Sequence, residues 1–250
     1  MSYLKVSNFT KTINKNKILD NISFELEKGK LLVLLGKSGA GKTTLLRNIN
    51  LLDFPDQGIL ELDKEILYNN NEVNISSSEL QRRHKLIGLV FQNFNLFPHY
   101  NVLENVTLAV NLENKVKAKE LKKSKTKKSS EIKEYISQLE EETKNKAIEI
   151  LTELGLENKI DSYPYQLSGG EQQRVAIARS LILNPKVLCF DEPTSALDPA
   201  LTGEVVKVIN NLKKQNQTMI IITHEIDFAN QVADKIIVID KGKIIEEKEI

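Results

Sequence analysis

Gly36-Lys37-Ser38-Gly39-Ala40-Gly41-Lys42-Thr43 sets glycines, a lysine and a hydroxyl close together, the makings of a cradle for phosphate oxygens. The glycines let successive backbone N–H groups turn toward one point, and a helix starting at the loop's end adds partial positive charge. Lys42 can reach the β- and γ-phosphates of a nucleoside triphosphate, the Thr43 hydroxyl can ligate Mg²⁺, and Thr44 carries the loop into the next helix. A chance glycine-rich turn would lack this setting. Here the apolar run Leu31-Leu32-Val33-Leu34-Leu35 precedes the loop and the helix-like Leu45-Leu46-Arg47-Asn48-Ile49 follows it.

Two further stretches carry chemistry. Val187-Leu188-Cys189-Phe190 is an apolar strand that delivers Asp191 and Glu192 at its end. Asp191 suits the Mg²⁺ shell, and Glu192 is then free to take a proton from an attacking water. Leu167-Ser168-Gly169-Gly170-Glu171-Gln172 offers a serine hydroxyl and backbone N–H groups at a helix start, which serves either a phosphate or a simple helix cap. Two phosphate-binding loops beside one set of metal ligands suggest a site shared between two subunits.

The elements that must position these groups alternate. Strands are expected over 4–7, 22–27, 31–35, 59–62 and 87–91, then a helical stretch from Gln92 to about Tyr165. Beyond Gly169, helices over 172–183, about 200–215 and 227–232 alternate with strands over 186–190, 218–223, 235–239 and 243–246. Such alternation implies parallel strands joined by crossovers, with ligands bound at the strands' carboxyl ends. Gly36, Gln92, Asp191 and His224 all fall at such ends.

Composition narrows the class. With 250 residues, 40% hydrophobic, 28% charged and a formal net charge of +1, the chain has an ordinary globular core and no global field toward nucleic acid or anionic lipid. Its single cysteine, Cys189, excludes a disulfide framework and reads as a core residue in a reducing compartment. The start of the chain reads as a strand rather than a signal peptide, and no apolar run approaches the ~20 residues that span a bilayer. Membrane attachment is therefore expected through a partner. One stretch departs from globular composition: residues 115–128, KVKAKELKKSKTKK, followed by Glu140-Glu141-Glu142. It reads as a solvated helical arm, or as an electrostatic contact with anionic headgroups or an acidic partner. Without interleaved aromatics it does not suit nucleic acid. His84 and His99 read as surface residues.

Over almost its whole length the chain resembles the ATP-binding subunits of ABC transporters. Residues 36–43 match the Walker A loop, Gln92 the Q-loop glutamine, 167–172 the signature and 187–192 Walker B with its catalytic glutamate. Ser195-Ala196-Leu197-Asp198 match the D-loop and His224 the switch histidine. The resemblance implies an α/β P-loop NTPase core with a β-rich N-terminal subdomain and an inserted α-helical subdomain. On this reading the core lobe covers 1–91 and 171–250, and the helical lobe 92–170, with an extra basic arm over about 112–146. It implies ATP and Mg²⁺ as cofactors, Gln92 with Thr43 and Asp191 at the metal, and Glu192, His224 and Gln92 in catalysis. It further implies a head-to-tail homodimer in the ATP-bound state, in which Ser168, Gly169, Gly170 and Asp198 serve the interface.

Arg47-Asn48-Ile49-Asn50-Leu51-Leu52, the stretch from Val90 to His99, and Ser195-Ala196-Leu197-Asp198-Pro199 resemble polar amino acid importers. That implies integral-membrane permease subunits and an extracytoplasmic substrate-binding protein as partners, at the cytoplasmic face of the cell membrane. Glu171 also occurs in exporter and lipoprotein-release relatives, the alternative reading. Phe94–His99, just after Gln92, then lie near the groove that receives a membrane subunit's coupling helix. Ile13 stands where the family usually places an adenine-stacking aromatic, so weaker ATP affinity or relaxed base selectivity is expected. The chain stops at Ile250, where relatives often carry a further helix.

Overall fold

The computed structural model describes residues 2–70, 75–124, 129–197 and 202–250. The chain forms two compact units, Met1–Asn93 with Pro185–Ile250, and Phe94–Asn184.

The first unit holds two sheets. Strands β1 (Ser2–Ile13), β2 (Asn16–Glu27), β4 (Gln57–Leu62) and β5 (Glu65–Asn69) form an antiparallel sheet in the order β2-β1-β4-β5. Leu4, Val6 and Phe9 of β1, with Ile22, Phe24 and Leu26 of β2, turn one face into the core, while charged residues keep the other face wet. Asn14 and Lys15 both have positive φ, 51° and 67°, the conformation of a two-residue hairpin turn that matches strand twist.

The second sheet has the order β10-β9-β3-β8-β7-β6. Its members are β3 (Leu31–Leu35), β6 (Ile87–Val90), β7 (Val187–Asp191), β8 (Thr218–Thr223), β9 (Lys235–Asp240) and β10 (Lys243–Glu249). All neighbours run parallel except β10 on β9. Every residue of β3 and β8 is buried, as expected for central parallel strands covered on both faces. Helix α1 (Lys42–Ile49) sends Leu45, Leu46 and Ile49 into a core shared with both sheets. Helices α2 (Ser77–Leu86), α6 (Thr202–Lys214) and α7 (Ile226–Val232) complete this unit. Cys189 lies within β7, fully buried. No helix among the described residues is long and apolar enough to cross a membrane.

The second unit is helical. Helices α3 (Val102–Ser124), α4 (Ser129–Glu153) and α5 (Gly169–Leu181) pack on one another, and Arg179 of α5 donates to the carbonyls of Phe94 and Asn95. Those contacts place α5 in the helical unit, so the break falls at Asn184 rather than near residue 171 as expected. The expected basic arm is the far end of the α3–α4 pair; residues 125–128 lie outside the described ones.

Candidate nucleotide site

Strand register explains why distant residues meet. Leu35 of β3 pairs with Thr223 of β8, so Gly36 and His224 leave the sheet side by side. Asp191 of β7 pairs with Ile222, and Val90 of β6 with Phe190, which brings Glu192 and the segment before Gln92 to the same edge.

The loop after β3 is clamped by backbone. A Cβ on Gly36 would lie 2.4 Å from the carbonyl oxygen of Ile239, and one on Gly41 2.7 Å from that of Ile18. Gly41 has φ +101°, so a side chain there would be both crowded and strained. Around Gly39, by contrast, there is open space. Lys42, only 5% exposed, donates from Nζ to the carbonyls of Gly36 (2.7 Å) and Lys37 (3.1 Å). Its amine thus lies folded over the loop, where an incoming phosphate oxygen can replace the carbonyls.

Glu192 sits opposite. Its backbone N–H donates to Ile222 (3.0 Å), continuing the β7–β8 ladder, while its φ of +48° turns the side chain off the strand. A non-glycine residue in that conformation costs on the order of 1–3 kcal/mol, which the surrounding bonds must offset. The Ser195 hydroxyl donates to the Glu192 carbonyl at 2.9 Å. The carboxylate lies 2.7 Å from His224 Nδ1 and 3.7 Å from Lys42 Nζ. With Nδ1–H donating to Glu192, Nε2 of this exposed ring remains available to a ligand. The turn under it is fixed: Thr194 donates to the Glu225 carboxylate (2.6 Å), and the Glu225 N–H to the Thr223 hydroxyl (3.1 Å).

Burial pushes the Asp191 carboxyl above its ordinary range, Glu192 adds to the rise, and Lys42, Thr43 and Arg47 oppose it. A divalent cation beside Asp191 would relieve that cost. The oxygen donors Thr43 and Asp191 suit a hard ion such as Mg²⁺, which takes few protein ligands and completes its shell with phosphate and water. No cluster of three or more His, Cys, Asp or Glu with metal-binding geometry occurs among the described residues.

A cleft of about 400 Å³ joins these groups. Of the expected residues, Ser38, Gly39, Gly41, Lys42, Thr43, Thr44 and Glu192 line it; His224 joins through Glu192 and Asp191 through Thr43. Gln92 is exposed and does not line it. Asp198 lies outside the described residues. The far end is Ile13, Asn14, Asn16 and Ile18, of which only Ile13 was expected; the hairpin turn at Asn14-Lys15 is what carries the other three to the cleft. No aromatic residue among the described ones lines it.

In the helical unit, Ser168 begins α5 with reciprocal caps. Its Oγ accepts from the Glu171 N–H (3.2 Å), and the Glu171 carboxylate accepts from the Ser168 N–H (2.7 Å). Burial raises the Glu171 pKa, but the Ser168 N–H and Lys159 outweigh it, for a net lowering. Glutamine can fill the same capping position, though without the Lys159 ion pair that Glu171 makes at 3.3 Å. His84 proves half-buried and bonded to the Leu51 carbonyl (3.0 Å), a packing role rather than a free surface one.

The ABC transporter family matches residues 19–195. The chain belongs to that family. It is 43% identical to a probable amino-acid ABC transporter ATP-binding protein of Haemophilus influenzae, over 99% of this chain and 88% of that protein. It is also 43% identical to an L-cystine import ATP-binding protein of Bacillus subtilis, over 98% and 89%. Among solved structures it is similar to a dimeric ATP-binding cassette in a post-hydrolysis state with ADP and phosphate. That likeness has a TM-score of 0.75 and 30% identity, and covers 98% of both chains. As an ABC ATPase subunit the chain binds nucleotide, hydrolyses ATP, and works as a dimer with transporter partners.

Proposed function

We propose that the chain is the ATPase subunit of an importer for polar amino acids, peripheral on the cytoplasmic face of the membrane. The observation that carries the catalytic part is Glu192, held between Lys42 and His224 at the mouth of the cleft. Lys42 would exchange its carbonyl partners for β- and γ-phosphate oxygens, and the N–H groups of residues 36–44 would surround them. Glu192 would accept the proton of the attacking water, while His224 would touch the γ-phosphate. Thr43, Asp191 and Gln92 would hold Mg²⁺, which, when bound, neutralises charge developing on the phosphates. Ser168, Gly169 and Gly170 of a second copy would cap the same ATP from across a homodimer, with Asp198 at that interface.

Uptake rather than export is favoured because the similar proteins named above are an amino-acid ABC transporter subunit and an L-cystine import subunit. Permease subunits and an extracytoplasmic binding protein are then the partners, with no role for nucleic acid. Purification of the tagged chain from native membranes tests this. Polytopic partners together with an amino-acid-binding protein are expected; export-type membrane subunits would transfer the chain to the exporter reading.

A further inference from the structure

We propose that the outward face of α3 beyond Asn111 is a docking surface for the anionic headgroups of a lipid bilayer. Leu112, Lys115, Val116 and Lys119 stand at i, i+3, i+4 and i+7, one stripe of a helix, and Lys122 stands at its edge, where it also lines the groove toward α4. All five are exposed, and Leu112 and Val116, one turn apart, are more than half so. The buried or half-buried Asn114, Ala118 and Leu121 occupy the other side of the helix. There Ala118 shares a groove with Ile132 and Ile136 of α4. The stripe is therefore the face left over after the two helices have packed.

Its composition fits a membrane better than an acidic protein groove. Two aliphatic side chains set among lysines can enter the headgroup boundary while the ammonium groups stay at phosphate level. Glu113 and Glu120 border the stripe on the Val116 side, at i−3 and i+4 from that residue, while its Leu112–Lys115–Lys119 side is bordered by no acid of α3. Glu131, Glu134, Glu140, Glu141 and Glu142 belong to α4. The chain's net charge of +1 hides this separation. The surface owes nothing to the nucleotide cleft.

The test uses the purified full chain and sedimentation with vesicles of phosphatidylglycerol and phosphatidylcholine, against phosphatidylcholine alone. Binding is expected only with the anionic lipid, weakening as salt rises. The triple variant Lys115→Gln, Lys119→Gln, Lys122→Gln should bind on the order of 100-fold more weakly, at about 1 kcal/mol per lysine. ATP hydrolysis should be unchanged, which shows that the variant is folded. Leu112→Ser with Val116→Ser should also weaken binding without changing its salt dependence. Equal binding to neutral vesicles, no binding, or a variant as tight as the parent would overturn the proposal. So would a variant that binds vesicles normally but fails to assemble with the membrane subunits in detergent, since that would make the stripe a protein contact.

Discussion

The two ends of the cleft are built on different principles. At the phosphate end, three neighbouring strands set Gly36, Glu192 and His224 by register, and backbone oxygens leave no room for side chains on Gly36 or Gly41. At the other end stands a hairpin tip with Ile13, 41% exposed, backed by Ile18 and two asparagines. One end is over-determined and electrostatic; the other is aliphatic and open. On the proposed reading, the rigid end receives the phosphates and the open end the base.

Changes at the first end should therefore be severe. Glu192→Gln is expected to keep ATP affinity while lowering turnover by about 10²–10⁴-fold, the usual contribution of a general base. Single-turnover hydrolysis would show it, and retained turnover would remove Glu192 from that role. Gly41→Ala places a methyl against the Ile18 carbonyl at a positive φ, so a loss of at least about 1–3 kcal/mol is expected. Thermal melting with and without ATP would separate lost folding from lost binding.

The second end should tolerate change and even improve. Ile13→Tyr supplies a ring for the purine to stack on, worth about 1–3 kcal/mol, so ATP should bind roughly tenfold tighter. The parent should discriminate little between ATP and GTP; titration of both nucleotides against both proteins decides the matter. Unchanged affinity would mean that the base does not rest on Ile13.

The smallest effect near neutrality concerns Asp191. Its pKa is raised in the folded chain, so the fold binds this proton more tightly than the unfolded chain does. Stability of the nucleotide-free protein should then fall as pH rises from the ordinary aspartate value through the raised one. Affinity for Mg²⁺ with nucleotide should rise over the same window, by at most about tenfold per pH unit. Asp191→Asn should abolish both dependences, as calorimetry across pH would record.

Legibility followed the same division. The apolar runs of β3, β7 and β8, each followed by or ending in a polar or glycine residue, announce buried parallel strands, so the elements that carry the proposed phosphate end could be read directly. The base end could not. β1 and β2 run through residue 13 and from residue 16, longer than expected, because Asn14-Lys15 makes a tight turn without glycine. Asp63-Lys64 does the same between β4 and β5, with φ of 53° and 68°, which hid β5. Helix α2 went unread because it buries little apolar surface and is held by polar contacts, the Ser76 cap and the Glu79–Arg83 pair. The Ser168–Glu171 motif was legible, though not whether it caps a helix or meets a phosphate; it caps one here.

Cys189 has a practical consequence. It is the sole thiol, fully buried in β7, and burial pushes its pKa up to about 12. The native protein should therefore be silent toward alkylating reagents. A cysteine introduced anywhere on the surface could be labelled alone, with no need to remove the natural one. Slow labelling of Cys189 itself would then time the opening of the central sheet, a clock already wired into the strand that carries Asp191.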